Sequence, residues 1–285
     1  MAKTGSEGYM ERMLDRRALV SALALAAAVV PAAASPSVSP WSRDTKSAVR
    51  LVRGGFDGKV HRAGVEITLE PGTKTYWRTP GDSGVPPAFD WSASDNVADV
   101  TLAWPAPMRF PDGNGFSIGY KSSVIFPLRV TPREAGRPVR LALKLDYAVC
   151  DQICIPAKGE ARLTLVPGAA DPAMAAKLAE FEARVPRTAA EGLSLAVESV
   201  ERGGEHPVLV LRAGVDAAAA ADLFVEGPDS RWVLPLPEAV DTAGPERRFR
   251  LVMDGAPRGT EPLGQELIFT LVSGMRALET RLTPR

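Results

Sequence analysis

The sequence predicts an all-β protein: two immunoglobulin-like antiparallel β-sandwiches joined by a short helix. Three observations carry that expectation. Short apolar runs alternate with polar residues at period two along most of the chain, as half-buried strands require. Glycine and proline, 25 of each among 285 residues, supply turns between runs and are too many for a helical bundle. Only one stretch of the mature chain shows helical periodicity, so the strands do not alternate with crossover helices and a sandwich is favoured over a parallel sheet.

The first 34 residues have the layout of a secretory signal peptide. Arg12, Arg16 and Arg17 precede the apolar run "ALVSALALAAAVV" (residues 18–30), and Ala32 and Ala34 form an Ala-x-Ala cleavage site. As a helix that run measures roughly 20 Å, short of the about 30 Å of hydrocarbon in a bilayer. No other segment is long and apolar enough to span, so the mature chain is expected to be exported and periplasmic, in a compartment that permits disulfides. Residues 35–45, "SPSVSPWSRDT", read as a disordered leader.

Residues 46–168 form the first expected sandwich, with "VEITLE", "ADVTLAW", "SSVIFPLRV", "VRLALKLDYAV" and "ARLTLV" as strands, and "RTPGDSGVPPAFD" and "FPDGNGF" as loops. Residues 169–187 hold the helix. Asp171 suits its N-cap and Pro172 its first position, Met174, Leu178, Phe181 and Val185 share one face, and Pro186 ends it. Residues 188–285 resume the strand pattern in "LSLAVESV", "PVLVLRA", "DLFVEG", "RWVLPLP", "RRFRLVM", "ELIFTLVS" and "RALETRL", a second sandwich.

The formal net charge is zero, with no Lys/Arg block, which argues against nucleic-acid binding. No G-x-S-x-G, phosphate loop or H-E-x-x-H occurs, so hydrolase and nucleotide readings have no anchor. Asp82, Asp90, Asp95, Asp99 and Asp112 read as solvated turn formers. No cofactor is implied, and the two histidines, His61 and His206, show no metal spacing.

The chemistry concentrates in "YAVCDQICIP", which holds the two cysteines of the chain, Cys150 and Cys154. Leu141, Leu143, Leu145, Tyr147 and Val149 alternate with polar residues, so they face the core and Cys150 faces outward. A continuing strand would hold the cysteines about 13 Å apart, whereas a tight turn through Asp151, Gln152 and Ile153 brings them within disulfide reach. A loop so short contributes only on the order of 2 kcal/mol as a staple. A strained, outward-facing disulfide suits exchange chemistry better. A structural turn staple and a Cu(I) site built from two thiolates remain the other readings of the pair. Nothing beside the cysteines in sequence lowers a thiol pKa, so a docked partner is expected to activate them.

The segments "DYAVCDQICIPAKGEARLTL", "KTYWRTPGDSGVPPAFDW", "WPAPMRF" and "GYKSSVIFPL" together resemble the N-terminal periplasmic domain of the thiol–disulfide interchange protein DsbD, and most closely its copper-sensitivity suppressor relatives. The resemblance runs from about Trp41 to Val166. It implies an immunoglobulin-like sandwich with one reactive disulfide, which takes electrons from a thioredoxin-like protein or membrane electron conduit and passes them to exported thiol proteins. By position, Cys154 matches the cysteine that forms the mixed disulfide and Cys150 its resolving partner. The family's aromatic cap loop corresponds to "RFPDGNGFSIGY", which makes Phe110 or Phe116 the expected cap with Tyr120 nearby. Tyr76 and Trp77 match an aromatic strand beside the site, and Asp151 lies between the cysteines. The conduit and the thioredoxin-like domain of full-length members have no counterpart in this sequence, so a separate reductant is expected. The rival function is a non-catalytic exported binding module.

Overall fold

Among the described residues, alternating burial yields eighteen strands and one helix. The structure, a computed structural model, describes residues 36–285 except residues 114 and 169. The expected signal peptide lies outside the described residues. In the first half the strands are β1 (Ser42–Asp44), β2 (Ser47–Phe56), β3 (His61–Leu69), β4 (Lys74–Gly81), β5 (Ala88–Asp90), β6 (Val97–Leu102), β7 (Met108–Asp112), β8 (Gly115–Lys121), β9 (Ser123–Pro132), β10 (Val139–Cys150) and β11 (Cys154–Leu165). Helix α1 (Pro172–Glu182) follows. The second half comprises β12 (Ser194–Glu201), β13 (Val208–Gly214), β14 (Ala221–Glu226), β15 (Glu238–Ala239), β16 (Glu246–Val252), β17 (Leu267–Ser273) and β18 (Arg276–Leu282).

One sheet of the first sandwich runs β1-β2-β3-β9-β6, and the other runs β11-β10-β4-β8-β7 with β5 also paired to β10. Every pairing between these strands is antiparallel. Leu51, Val65, Ile67 and Phe126 from one sheet share a core with Leu141, Leu145, Tyr147 and Val149 from the other. On β10, Arg140, Lys144 and Asp146 stay exposed, as the alternation requires. Phe89, Trp104 and Tyr120 meet Phe126 edge-on, with centroids 5.1–5.4 Å apart, an arrangement that aromatic quadrupoles favour.

The second sandwich pairs the sheets β12-β13-β16-β15 and β14-β17-β18 around Leu209, Leu211, Leu223, Phe249, Leu251 and Phe269. "RWVLPLP" is not one of its strands, because Pro235 and Pro237 remove ladder donors, and the segment runs as coil to the short β15. In the first sandwich, the residues of "FPDGNGF" from 110 to 112 and from 115 to 116 are paired in β7 and β8 instead of forming a free loop, and β4 extends into "RTPG".

The expected disordered leader is folded in from its third residue onward. Val38 bridges Val52, the Ser39 hydroxyl accepts from the Leu51 amide at 2.9 Å, and β1 pairs with β2. Asp44 and Ser42 also accept the outward-facing amides of Lys158 and Glu160, which covers part of the exposed edge of β11.

Helix α1 starts as expected, with the Asp171 carboxylate accepting from the Met174 amide at 3.0 Å, but it ends at Glu182, so Val185 lies beyond it. The Leu178 side chain fills a notch over β2 and β3 that exists because positions 54 and 64 are glycine. A Cβ at Gly54 would collide with it. Burying that leucine contributes about 1.5–3 kcal/mol.

The sandwiches are bolted together. Phe224 of β14 sits in the first sandwich's core cluster, its ring centroid 5.9 Å from that of Trp77. Arg78 bridges Glu226 and Glu279, and Arg109 holds Asp222 and the carbonyls of Leu223 and Pro237.

Candidate functional site

Strands β10 and β11 form a hairpin whose last register pair is Cys150 and Cys154, closed by Asp151, Gln152 and Ile153. Directly opposed residues on antiparallel strands have Cα atoms about 4.5–5.5 Å apart, within the span a disulfide tolerates. Both thiols are free and their sulfurs lie 2.6 Å apart.

The two sulfurs differ in access. Cys154 ends an edge strand and is exposed, while Cys150 is 2% exposed because β4 and β11 flank it on either side. Cys150 does lie on the outer face of its sheet, as the alternation requires, yet it is not bare there. Tyr76 and Ala148 pack with it in a small apolar cluster separate from the main core. Burial first, and then the hydrogen bond with Cys154, push the Cys150 thiol up, while Tyr76 and Lys74 act in the opposite sense.

Tyr76 is the cover. Its hydroxyl lies 2.7 Å from the Cys154 sulfur, and its ring is fully buried. Burial and the adjacent thiols raise its phenol, so it stays protonated. Two close approaches make room for it. A Cβ at Gly119 would collide with the Thr75 carbonyl, so β4 and β8 can be this close only with glycine there. A Cβ at Gly84 would sit 2.6 Å from the Tyr76 ring, so the loop 82–87 lies flat on the tyrosine.

That loop is tied down. Ser83 donates to Asp112 at 2.6 Å, Asp82 accepts from the Phe116 amide at 2.8 Å, and the Asp82 amide donates to the Phe116 carbonyl at 3.0 Å. Asp112 also accepts from Ser117 at 2.6 Å and pairs with Lys74 at 3.1 Å. These partners, the serine hydroxyls foremost, hold its carboxyl down to about 2. Asp112 is therefore a buttress of the site and not the solvated turn former expected of it.

The aromatic candidates separate by strand geometry. Tyr76 and Trp77 are adjacent, so they face opposite sides of β4, and Trp77 belongs to the core. Tyr120 is also a core residue, donating to the Pro105 carbonyl at 2.8 Å. Phe110 is on the cysteine side of its sheet by register, 4% exposed, with the Lys121 ammonium 4.5 Å from its ring centroid. Phe116 is 39% exposed with Arg109 over its ring. The side chain that reaches the cysteines thus comes from β4, not from the 109–120 segment. Asp151 is exposed and pairs with Lys46 at 3.1 Å. A groove of about 220 Å³ runs beside the hairpin tip, lined by Lys46, Val149, Asp151, Ile153 and Ile155 among others, with Ile153 74% exposed.

Lys74 and Gly84 carried no signal in the sequence, because neither lies near the cysteines along the chain. Among the described residues, no group of three or more His, Cys, Asp or Glu side chains is placed to hold a metal, and no helix is long and apolar enough to cross a membrane.

Residues 46–165 match the family described as "Thiol:disulfide interchange protein DsbD, N-terminal". Among solved structures, the N-terminal periplasmic domain of ScsB from Proteus mirabilis is similar, with a TM-score of 0.68 and 23% identity over 88% of this chain and 99% of that one. The similarity therefore spans both sandwiches as a fold. No curated protein matches the chain.

Proposed function

We propose that this chain, whose residues 46–165 match the DsbD N-terminal family, is an exported, periplasmic thiol–disulfide exchange protein acting through Cys150 and Cys154. It would take electrons from a thioredoxin-like reductant, free or attached to a membrane conduit, and pass them to exported proteins with oxidised thiols. The observation that carries this reading is the asymmetry of a cross-strand cysteine pair, with one sulfur exposed at an edge and the other buried.

Steric access assigns the roles. In the oxidised protein a partner thiolate reaches Cys154, forms a bond to its sulfur and expels Cys150 as a thiolate. The partner's second thiolate then attacks the partner sulfur of the mixed disulfide and releases Cys154. The partner leaves oxidised, and the pair is left as a dithiol after taking up two protons. Reduction of a client runs the same steps in reverse. Tyr76 and the loop over it restrict approach to one side, which favours a docked protein over a diffusing oxidant. The groove beside Ile153 adds apolar surface for such docking.

The test is a redox titration of the mature protein with alkylation and mass readout, together with trapping by single-cysteine variants. A midpoint between about −180 and −270 mV lies among exchange catalysts, whereas one below about −300 mV marks a structural bond and the binding-module reading. Cys150→Ser, in which the Cys154 thiolate can attack an oxidised client but lacks its resolving thiol, should accumulate a mixed disulfide with that client, and Cys154→Ser should form none. Equal trapping by both would overturn the assignment.

A further inference from the structure

Strand β4 meets β10 in register at one pair, Lys74 opposite Cys150. Side chains of opposed antiparallel residues leave the sheet on the same face, with Cβ atoms about 4.5–5.5 Å apart. On its other side Lys74 is opposed by Lys121 of β8. Two lysines directly opposite each other repel, and Lys74 is only 9% exposed along its side chain. A sheet that holds two ammonium groups there must compensate them.

The compensation is incomplete. Lys121 rests on the Phe110 ring, and Lys74 pairs with Asp112, whose same oxygen also accepts from Ser83 and Ser117. Those hydroxyls keep Asp112 ionised whether or not Lys74 is there. Asp151 is engaged by Lys46, and Tyr76 is neutral. Along the cross-strand row of Cys150, Lys74 and Lys121, Asp112 is thus the carboxylate paired with Lys74, while Asp82 is held by the Phe116 amide and Asp146 lies farther along β10 beside Lys158. Of the groups around Cys150, burial and Cys154 disfavour its thiolate, while the Tyr76 hydroxyl and, to a smaller extent, the Lys74 charge favour it.

We propose that Lys74 is the charge partner of Cys150: its ammonium stabilises the thiolate expelled when the Cys150–Cys154 bond is cleaved, and Asp112 sets how much of that charge reaches the sulfur. This rests on the reading of Cys150 as the leaving sulfur. When the incoming thiolate bonds to Cys154, the electron pair of the old sulfur–sulfur bond collects on Cys150, in a site that otherwise penalises charge. Lys74 is a positioning residue in this step. It takes no proton and forms no bond, and the negative charge that entered on the partner sulfur ends beside it.

The experiment separates the charge pairing from exchange itself. In a Cys154→Ser background, the pH dependence of iodoacetamide alkylation gives the titration midpoint of Cys150. Lys74→Met should raise it by about one unit, a roughly tenfold loss of thiolate at neutral pH, Lys74→Arg should nearly restore it, and Asp112→Asn should lower it. With both cysteines present and oxidised, reduction by dithiothreitol should slow roughly threefold in Lys74→Met and quicken in Asp112→Asn. A midpoint unmoved by Lys74→Met, or moved the same way by both substitutions, overturns the pairing. A midpoint that moves while the dithiothreitol rates do not overturns the leaving-group role. Should Lys74→Met fail to fold by circular dichroism, Asp112→Asn decides alone, since its midpoint must fall. If no protein partner ever forms a mixed disulfide, the exchange function fails while the Cys150 midpoint still reports on Lys74.

Discussion

Replacing Tyr76 by phenylalanine removes one oxygen from the site and leaves the ring that covers Cys150. That oxygen lies 2.7 Å from the Cys154 sulfur within a fully buried residue, so solvent does not replace the lost hydrogen bond. A disulfide sulfur accepts hydrogen bonds poorly compared with a thiol or thiolate. The interaction therefore stabilises the reduced protein more than the oxidised one. A net hydrogen bond contributes about 0.5–1.5 kcal/mol. For a two-electron couple 30 mV corresponds to about 1.4 kcal/mol, so Tyr76→Phe should lower the midpoint potential by about 10–30 mV. The assay is equilibration in glutathione buffers with alkylation and mass readout, wild type and variant side by side. A potential that rises, or that stays within a few millivolts of wild type, would show that the hydroxyl does not distinguish the two states and would refute the argument.

The joint between the sandwiches predicts a second effect. Phe224→Ala empties part of the first sandwich's core from the second, and should cost about 3–5 kcal/mol in urea unfolding, with tryptophan fluorescence and circular dichroism shifting together. A loss confined to one of two separate transitions would show that the sandwiches fold independently. Acid should act through Asp112. Its carboxyl is depressed to about 2 in the folded state against 3.8 unperturbed, so it contributes stability that is present above about pH 4 and is lost as pH falls through about 2. Asp112→Asn should flatten the fall in urea midpoint across that window, and an unchanged slope would contradict the buttress role.

The hairpin of Cys150 and Cys154 was legible because its determinants are local. Alternation from Arg140 to Val149 sets the face of every residue in β10, and the four-residue spacing forces a turn. The Asp171 cap and Pro172 likewise announce the helix start from adjacent residues. Sequence pattern and structure diverge where local pattern competes with context. "RWVLPLP" alternates like a strand, but its prolines cannot donate to a ladder. The serines and prolines of 35–45 look disordered until β2 and β11 offer them edges to cover.

By itself, then, the sequence determined the strand class, the outward face of Cys150, the turn that joins the cysteines and the helix between the sandwiches. Each is a property of residues a few positions apart, governed by the period of two in a strand or by capping at a helix end. Only the tertiary structure decided what stands beside the thiols. The order β10-β4-β8-β7 brings Lys74, Tyr76 and Asp112 to Cys150 from 38 to 76 positions away, and selects Tyr76 over its neighbour Trp77 as the cover. Periodicity tells which face a side chain takes, but not which strand lies alongside or in what register. That choice is made by long-range packing of both sheets, and with it the charge around the cysteines.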